Sequence, residues 1–331
     1  MRLTVLLWLG PLWSLVLSPW LHASPLDYAL TPIAIADNVW LLEGKQEAFS
    51  RLNGGNIVNT GFILTPAGVV VIDTGPSVRY GKAMRKVIAS LTDKPVVLVL
   101  NTHHHPDHVL GNLAFAEEAP IAALPATLQQ LEQEGDAVAE TLYTLVGDWM
   151  RDTQVQLPNQ TLGPDSLNTG IEIGGQRLRL LALRGHSGAD LAILHEPSGT
   201  LFAGDLVFHQ RALTTPHTPG LALWQQELGL LARQPFNQLV PGHGPLSQGT
   251  AAIEQTQAYL GWLDQLLQQA AQAGLSMTEA MQLPIPAHFN GIALSRYELQ
   301  RSVAHLYNQY EQQAFAEPSS TSAQASSTTK E

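Results

Sequence analysis

Thr102 to His108 reads THHHPDH, and this run places four metal-ligand side chains, His103, His105, Asp107 and His108, within six consecutive positions. Imidazole and carboxylate together suit zinc, iron or manganese. The chain contains no cysteine, so no thiolate serves as ligand or nucleophile. Histidines two residues apart point to one side of an extended segment, because side chains alternate along such a backbone. Pro106 keeps His105 extended by disfavouring helical geometry at the residue before it. Asp107 and His108 then face a second position close by. One or two histidines here would read as a solvated loop; four ligand-type residues in so short a span argue for metal.

The elements that must carry these residues share one pattern, an apolar run followed by glycine and a lone His or Asp. Val96 to Leu100 (VVLVL) has the length and β-branching of a buried strand and delivers His103. Leu178 to Leu183 leads to Gly185-His186, Thr200 to Ala203 to Gly204-Asp205, and Gln238 to Val240 to Gly242-His243. Glycine allows the tight turn and close backbone approach by which a ligand projects from a strand end. Further strands are predicted over Val39 to Leu42, Asn56 to Thr65 and Gly68 to Ile72. Helices are predicted over Tyr80 to Leu91, Leu221 to Ala232 and Ala251 to Gln272, with a helical insertion over Leu124 to Met150. Ser295-Arg296-Tyr297-Glu298 has the form of a capping box that opens a last helix with apolar residues at Leu299, Val303, Leu306 and Tyr310.

With these residues in place, the chain resembles the metallo-β-lactamase superfamily, whose signature is an HxHxDH loop followed by a His, a bridging Asp and a final His. The resemblance implies an α/β fold, an αβ/βα sandwich with a C-terminal helical extension. It implies that His103, His105 and His186 hold one metal, that Asp107, His108 and His243 hold a second, and that Asp205 bridges the two. Two zinc ions are the expected cofactors, with iron or manganese as alternatives. The resemblance further implies that Asp107 orients the attacking water and that Asp73, in VIDTG, supports the metal loop from behind its ligands. His104, between two ligands, is expected to point away and not to ligate. An aspartate at 205, where some metallo-β-lactamases carry Cys or Ser, resembles the thioester and general hydrolase branches.

The stretches NGGNIVNTGFILTPAGVVVIDTGPS, LVGDWM, RGHSGADLAILHEPSGTLFAGDLVFH and QRSVAHLY are similar to the quinoprotein relay system zinc metallohydrolases. That group is associated with pyrroloquinoline-quinone-dependent alcohol oxidation in bacteria. The function implied is a dinuclear zinc hydrolase that cleaves a small-molecule ester, lactone, thioester or amide with metal-activated water, alongside a quinoprotein dehydrogenase system. Two other readings stand beside it: a mononuclear-iron oxygenase of the persulfide-oxidising type, and a non-catalytic metal- or cofactor-handling partner of a quinoprotein dehydrogenase.

Composition bounds the rest. A chain of 331 residues with 45% hydrophobic and 14% charged residues supports a large core. A net charge of −11 argues against nucleic-acid binding, which calls for a basic face. Met1-Arg2 followed by the apolar Leu3 to Leu17 reads as a signal peptide over residues 1–23, with a retained anchor as the rival reading. The expected location is periplasmic or secreted, with no membrane span after signal removal. The expected units are a metallo-β-lactamase domain over 24–273, a helical extension over 274–316 and a disordered Ser/Thr/Ala-rich tail over 317–331. His209, Arg211 and His217 follow Asp205 and are expected to face the cleft. Trp149 and Tyr143 are candidates for a lid, with buried aromatic packing as the alternative.

Overall fold

A computed structural model of the chain describes residues 26–316. The predicted signal peptide and C-terminal tail lie outside the described residues. Two sheets face each other. The first has seven strands in sequence order: β1 (Ile33–Ala36), β2 (Val39–Leu42), β3 (Thr60–Thr65), β4 (Gly68–Ile72), β5 (Val96–Leu100), β6 (Ile121–Ala123) and β7 (Gln160–Thr161). The second holds β8 (Ile171–Ile173), β9 (Gln176–Leu183), β10 (Asp190–His195), β11 (Thr200–Phe202), β12 (Gln238–Val240) and β13 (Ser247–Gln248), in the order β13-β12-β11-β10-β9-β8.

The helices are α1 (Val78–Leu91), α2 (Pro106–Val109), α3 (Pro125–Val146), α4 (Pro164–Thr169), α5 (Leu221–Leu231), α6 (Ala251–Gln272), α7 (Met277–Ala280), α8 (Ala287–Asn290) and α9 (Ser295–Phe315). The layering follows from strands that bury both faces. Ile63, Val70, Ile72 and Leu100 of the first sheet meet Leu180, Leu191, Ile193 and Phe202 of the second between the sheets. On the far side of the first sheet, Phe62, Val71 and Val99 pack on Met84 and Ile88 of α1. On the far side of the second, Ala192, Leu194 and Leu201 pack under α5, α6 and α9. The result is the αβ/βα sandwich.

Parallel pairing sets where the site falls. β4 pairs with β5, and β11 with β12, each in parallel. β9 and β11 both run antiparallel to β10 and so share a direction. The C-terminal ends of these strands therefore collect at the sheet ends, where open α/β sheets place their ligands.

Two local expectations are corrected. The strand expected from Asn56 begins only at Thr60, because the preceding loop is held by side-chain bonds: Asn59 Nδ2 donates to the carbonyls of Pro241 (2.9 Å) and Gly244 (2.7 Å). The Ser295–Glu298 capping box does not form. The residue before α9 is Leu294 in the left-handed region (φ 62°), Ser295 Oγ donates to the carbonyls of Phe289 and Ile292, and Glu298 is buried against two arginines. A capping box does open α7, between Ser276 and Glu279. Among the described residues no helix is long and apolar enough to cross a membrane.

Candidate metal centre

The loop after β5 descends from Asn101 through three histidines and turns into α2 at Pro106. His105 is extended (φ −65°, ψ 147°), and Asp107 and His108 lie on the helical turn that follows. His186 projects from the loop after β9, Asp205 from the turn after β11 and His243 from the loop after β12. All seven predicted ligands are buried. Their donor atoms form two groups: His103, His105, His186 and Asp205 in one, Asp107, His108 and His243 in the other.

Asp205 lies between the groups. Its Oδ1 is 3.1 Å from His108 Nε2, while Oδ2 is 3.3 Å from His186 Nε2 and 3.2 Å from His243 Nε2. His243 Nε2 is also 3.4 Å from Asp107 Oδ2. Gly242 makes this close approach feasible: a Cβ at that position would overlap Asp205 Oδ1.

The partners of each imidazole fix which nitrogen faces the centre, an assignment from hydrogen-bond roles rather than from observed hydrogens. His243 Nδ1 donates to the Ile57 carbonyl (2.7 Å), and His108 Nδ1 donates to Asp73 Oδ2 (2.8 Å). Both leave the Nε2 lone pair facing inward. His105 presents Nδ1 to the centre, 2.9 Å from His186 Nε2, and gives Nε2 to His217 Nδ1 at 2.6 Å. Asp73 also accepts from Thr102 N (2.8 Å) and Thr102 Oγ1 (2.7 Å), so one carboxylate braces both the start and the end of the HxHxDH loop.

A test of fit to cations lies in the atoms left without partners. His103 Nε2, His108 Nε2 and Asp205 Oδ1 are buried and make no hydrogen bond among the described residues. Orphaned lone pairs of this kind cost about 1–3 kcal/mol each when left unmet. The ionisation balance agrees. Burial holds His103 and His105 well below the usual imidazole value, and pushes His186 down to about 3 despite the nearby Asp205. Burial alone would raise Asp205, but His243, His108 and His186 hold it well below the usual carboxylate range. Burial likewise opposes charge on His108, yet Asp205, Asp73 and Asp107 outweigh it and raise that imidazole. Neutral His103, His105 and His186 beside an ionised Asp205, with a His108 whose proton a bound cation would displace, form a donor set suited to divalent metal.

The sequence did not single out a second brace. Asp190 accepts from the backbone N–H groups of Gly185, His186 and Ser187 and from Ser187 Oγ, and so fixes the His186 loop. Trp224 backs His186 at a ring separation of 5.3 Å while donating Nε1–H to the Leu206 carbonyl (2.9 Å), directly after Asp205. The spacing His186…Asp190 was the available signal for Asp190; Trp224 had none.

The other candidates divide. His104 is buried and outside both ligand groups around Asp205; its donor atom instead falls together with those of His105 and His217, and burial lowers it to about 4, with His217 and His108 adding to the effect. His209 turns away and donates Nδ1–H to the Pro245 carbonyl. Trp149 is packing rather than lid: it lies against Tyr28 and donates Nε1–H to the Arg51 carbonyl. Tyr143 is half exposed and does not line the cleft. Arg211 and His217 do line it. The cleft encloses about 360 Å³ above His105, Asp107, Asp205 and His243. A larger depression of about 580 Å³ beside α1 contains none of the ligands.

A family comparison agrees with this geometry. Residues 53–243 match the Metallo-beta-lactamase superfamily, which covers more than half of the chain. The chain belongs to that superfamily. It is 23% identical over 287 residues to a linear primary-alkylsulfatase from Pseudomonas sp., covering 75% of this chain and 54% of the relative. It is 28% identical over 113 residues to a hydroxyacylglutathione hydrolase from Synechococcus sp., covering 34% and 35%. The chain thus spans about half the length of the first relative and about a third of the second. Among solved structures, a beta-lactamase domain protein from Burkholderia ambifaria superposes with a TM-score of 0.61 at 21% identity over 87% of this chain and 90% of that one. A metallo-beta-lactamase from Pontibacter korlensis gives 0.57 at 22% identity, over 70% and 99%. These structures share the fold.

Proposed function

We propose that this chain is an exported dinuclear zinc hydrolase that cleaves an ester, lactone, thioester or amide, and that it belongs to the quinoprotein-relay group of its superfamily. The observation that carries the reading is Asp205, whose carboxylate lies within 3.3 Å of His186 from one set of buried ligands and of His108 and His243 from the other. A pair of divalent ions bound there would supply Lewis acidity and a nucleophile near neutral pH. The protein's own part is orientation. Asp73, Asp190, Ile57 and His217 fix the imidazoles, and Asp107 Oδ2, at the cleft floor, can accept a proton or a hydrogen bond from the attacking water.

Two relatives whose names describe sulfate-ester and thioester hydrolases support hydrolysis. The second ligand set, Asp107, His108 and His243, favours two metals over the single iron of the persulfide-oxygenase reading. The test is a panel of ester, thioester, lactone, amide and β-lactam substrates, assayed on the full chain before and after chelation and zinc re-addition. Chelator-sensitive turnover of at least one member, restored by zinc, is expected. No turnover together with oxygen uptake in the presence of iron would overturn the reading in favour of the oxygenase. No turnover and no oxygen uptake would overturn it in favour of a binding partner.

A further inference from the structure

The metal cleft has two unlike walls. On one side α3 presents Val138, Leu142 and Leu145, continued by Phe49 and Ile57 into an apolar surface. The opposite side is built from Arg211 and the first turns of α9. Arg211 and Arg301 are the only fixed cations lining the cleft among the described residues. A charged group on a substrate therefore has one wall that can receive it.

The charges on that wall do not balance. Glu298 is fully buried, and two guanidinium groups converge on it. Arg211 Nη2 lies 3.3 Å from Oε1, and Arg301 Nη1 lies 3.1 Å from Oε2 and 3.3 Å from Oε1. One carboxylate answers two cations, which leaves one positive charge over. Arg211 is itself buried. It gives Nη1 to the Ala212 carbonyl, and its Nε has no partner among the described residues. Arg301 is more open, with 36% of its side chain exposed, and it is positioned over the Tyr297 ring at 5.6 Å. Only Nη1 of Arg301 is engaged, so the Nε–Nη2 edge is free among the described residues. That edge offers two parallel N–H donors, the fork that matches a planar carboxylate. Nothing in the metal chemistry requires this arrangement.

We infer that the substrate is a monoanion whose carboxylate, remote from the scissile bond, pairs with Arg301, while its uncharged part lies along α3. The inference rests on the hydrolase reading for the words "scissile bond" but not for the carboxylate site. A single surplus charge selects a monoanion, because a dianionic group on Arg301 would also meet Glu298. Glu298 is the positioning residue: it holds the two guanidinium groups and engages Nη1 of Arg301, which leaves the other edge of this cleft-lining residue free among the described residues.

The test uses the zinc-loaded full chain and two hydroxamates of equal chain length, one ending in a methyl group and one in a carboxylate. Both bind metal through the hydroxamate, so their affinity ratio isolates the remote group. Calorimetric titration of a homologous series should show the carboxylate form binding about tenfold tighter at its best length, a charge-assisted pair discounted for partial exposure. Arg301→Met should bring the ratio close to one, and Arg301→Lys should restore part of it. Taking a ratio on each variant cancels any change in folding or metal occupancy. A ratio near one in the wild type at every length, or one unchanged by Arg301→Met, would overturn the inference. Failure of the hydrolase reading looks different: the binding preference is present and no ester is turned over.

Discussion

Replacing Asp73 by Asn tests how the centre is built without emptying space or straining the chain. Asp73 has φ 56°, a left-handed conformation that Asn adopts as readily as Asp. In the wild type Oδ1 accepts from Thr102 N, while Oδ2 accepts from both Thr102 Oγ1 and His108 Nδ1. Asn keeps the first bond and places an N–H donor where the other two ended. His108 then relieves the conflict by moving its proton from Nδ1 to Nε2, the nitrogen that faces Asp205, and a protonated nitrogen cannot ligate. Forcing the ligating tautomer forfeits a bond to a charged acceptor worth about 1.5–3 kcal/mol. Zinc affinity at the His108 position should therefore fall by roughly 10–100-fold, the range typical for losing such a support. The position built on His103, His105 and His186 should change far less. Competition against a chromophoric chelator resolves the two binding steps, and long-range nitrogen–proton NMR reports the tautomer. Two unchanged dissociation constants, or His108 still protonated at Nδ1 in Asp73→Asn, would refute the reasoning.

Three other perturbations give sharp expectations. Gly242→Ala places a methyl group on Asp205 Oδ1 and should reduce bound zinc to below one ion per chain, whereas Gly261→Ala, with open space around its Cβ, should leave it unchanged; elemental analysis decides, and full zinc in Gly242→Ala counts against the packing argument. Trp224→Phe leaves the Leu206 carbonyl without its buried donor and should cost about 1–3 kcal/mol in urea unfolding; a loss below about 0.5 kcal/mol would show that the bond does not hold the Asp205 turn. Asp190 is raised to about 6 by burial, against the opposing bonds from Ser187 and Gly185. A carboxyl raised in the folded state binds its proton more tightly there, so it favours folding as pH falls from about 6 towards 4 and opposes it above. Metal-free wild type should gain on the order of 3 kcal/mol relative to Asp190→Asn between pH 7 and pH 4; a stability difference flat across that range contradicts the assignment.

Much of the site was legible because it is local. The HxHxDH spacing, the proline that extends His105, and the apolar-run-then-glycine pattern before His186, Asp205 and His243 all lie within a few residues of the ligand they place. The helix of the insertion was legible for the same reason and spans Pro125–Val146. What escaped depends on partners distant in sequence. Arg211 and Glu298 are 87 residues apart, as are Thr215 and Ser302, and only the docking of α9 onto the main layers brings them together. Glu298 was misread as a capping residue because its local context, a serine three residues earlier and an apolar run after, fits a cap. A buried partner of opposite charge outweighed that local preference. His217 was recognised as a cleft residue, but its bond to His105 spans 112 residues and is invisible to spacing.

Asp205 is proposed to hold two metals together rather than to finish one site. The most direct measurement is an anomalous-difference map collected across the zinc edge from crystals of the purified full chain. Two peaks flanking the Asp205 carboxylate are expected, one among His103, His105 and His186 and the other among Asp107, His108 and His243. A single peak, or signal that appears at the iron edge instead, would contradict it.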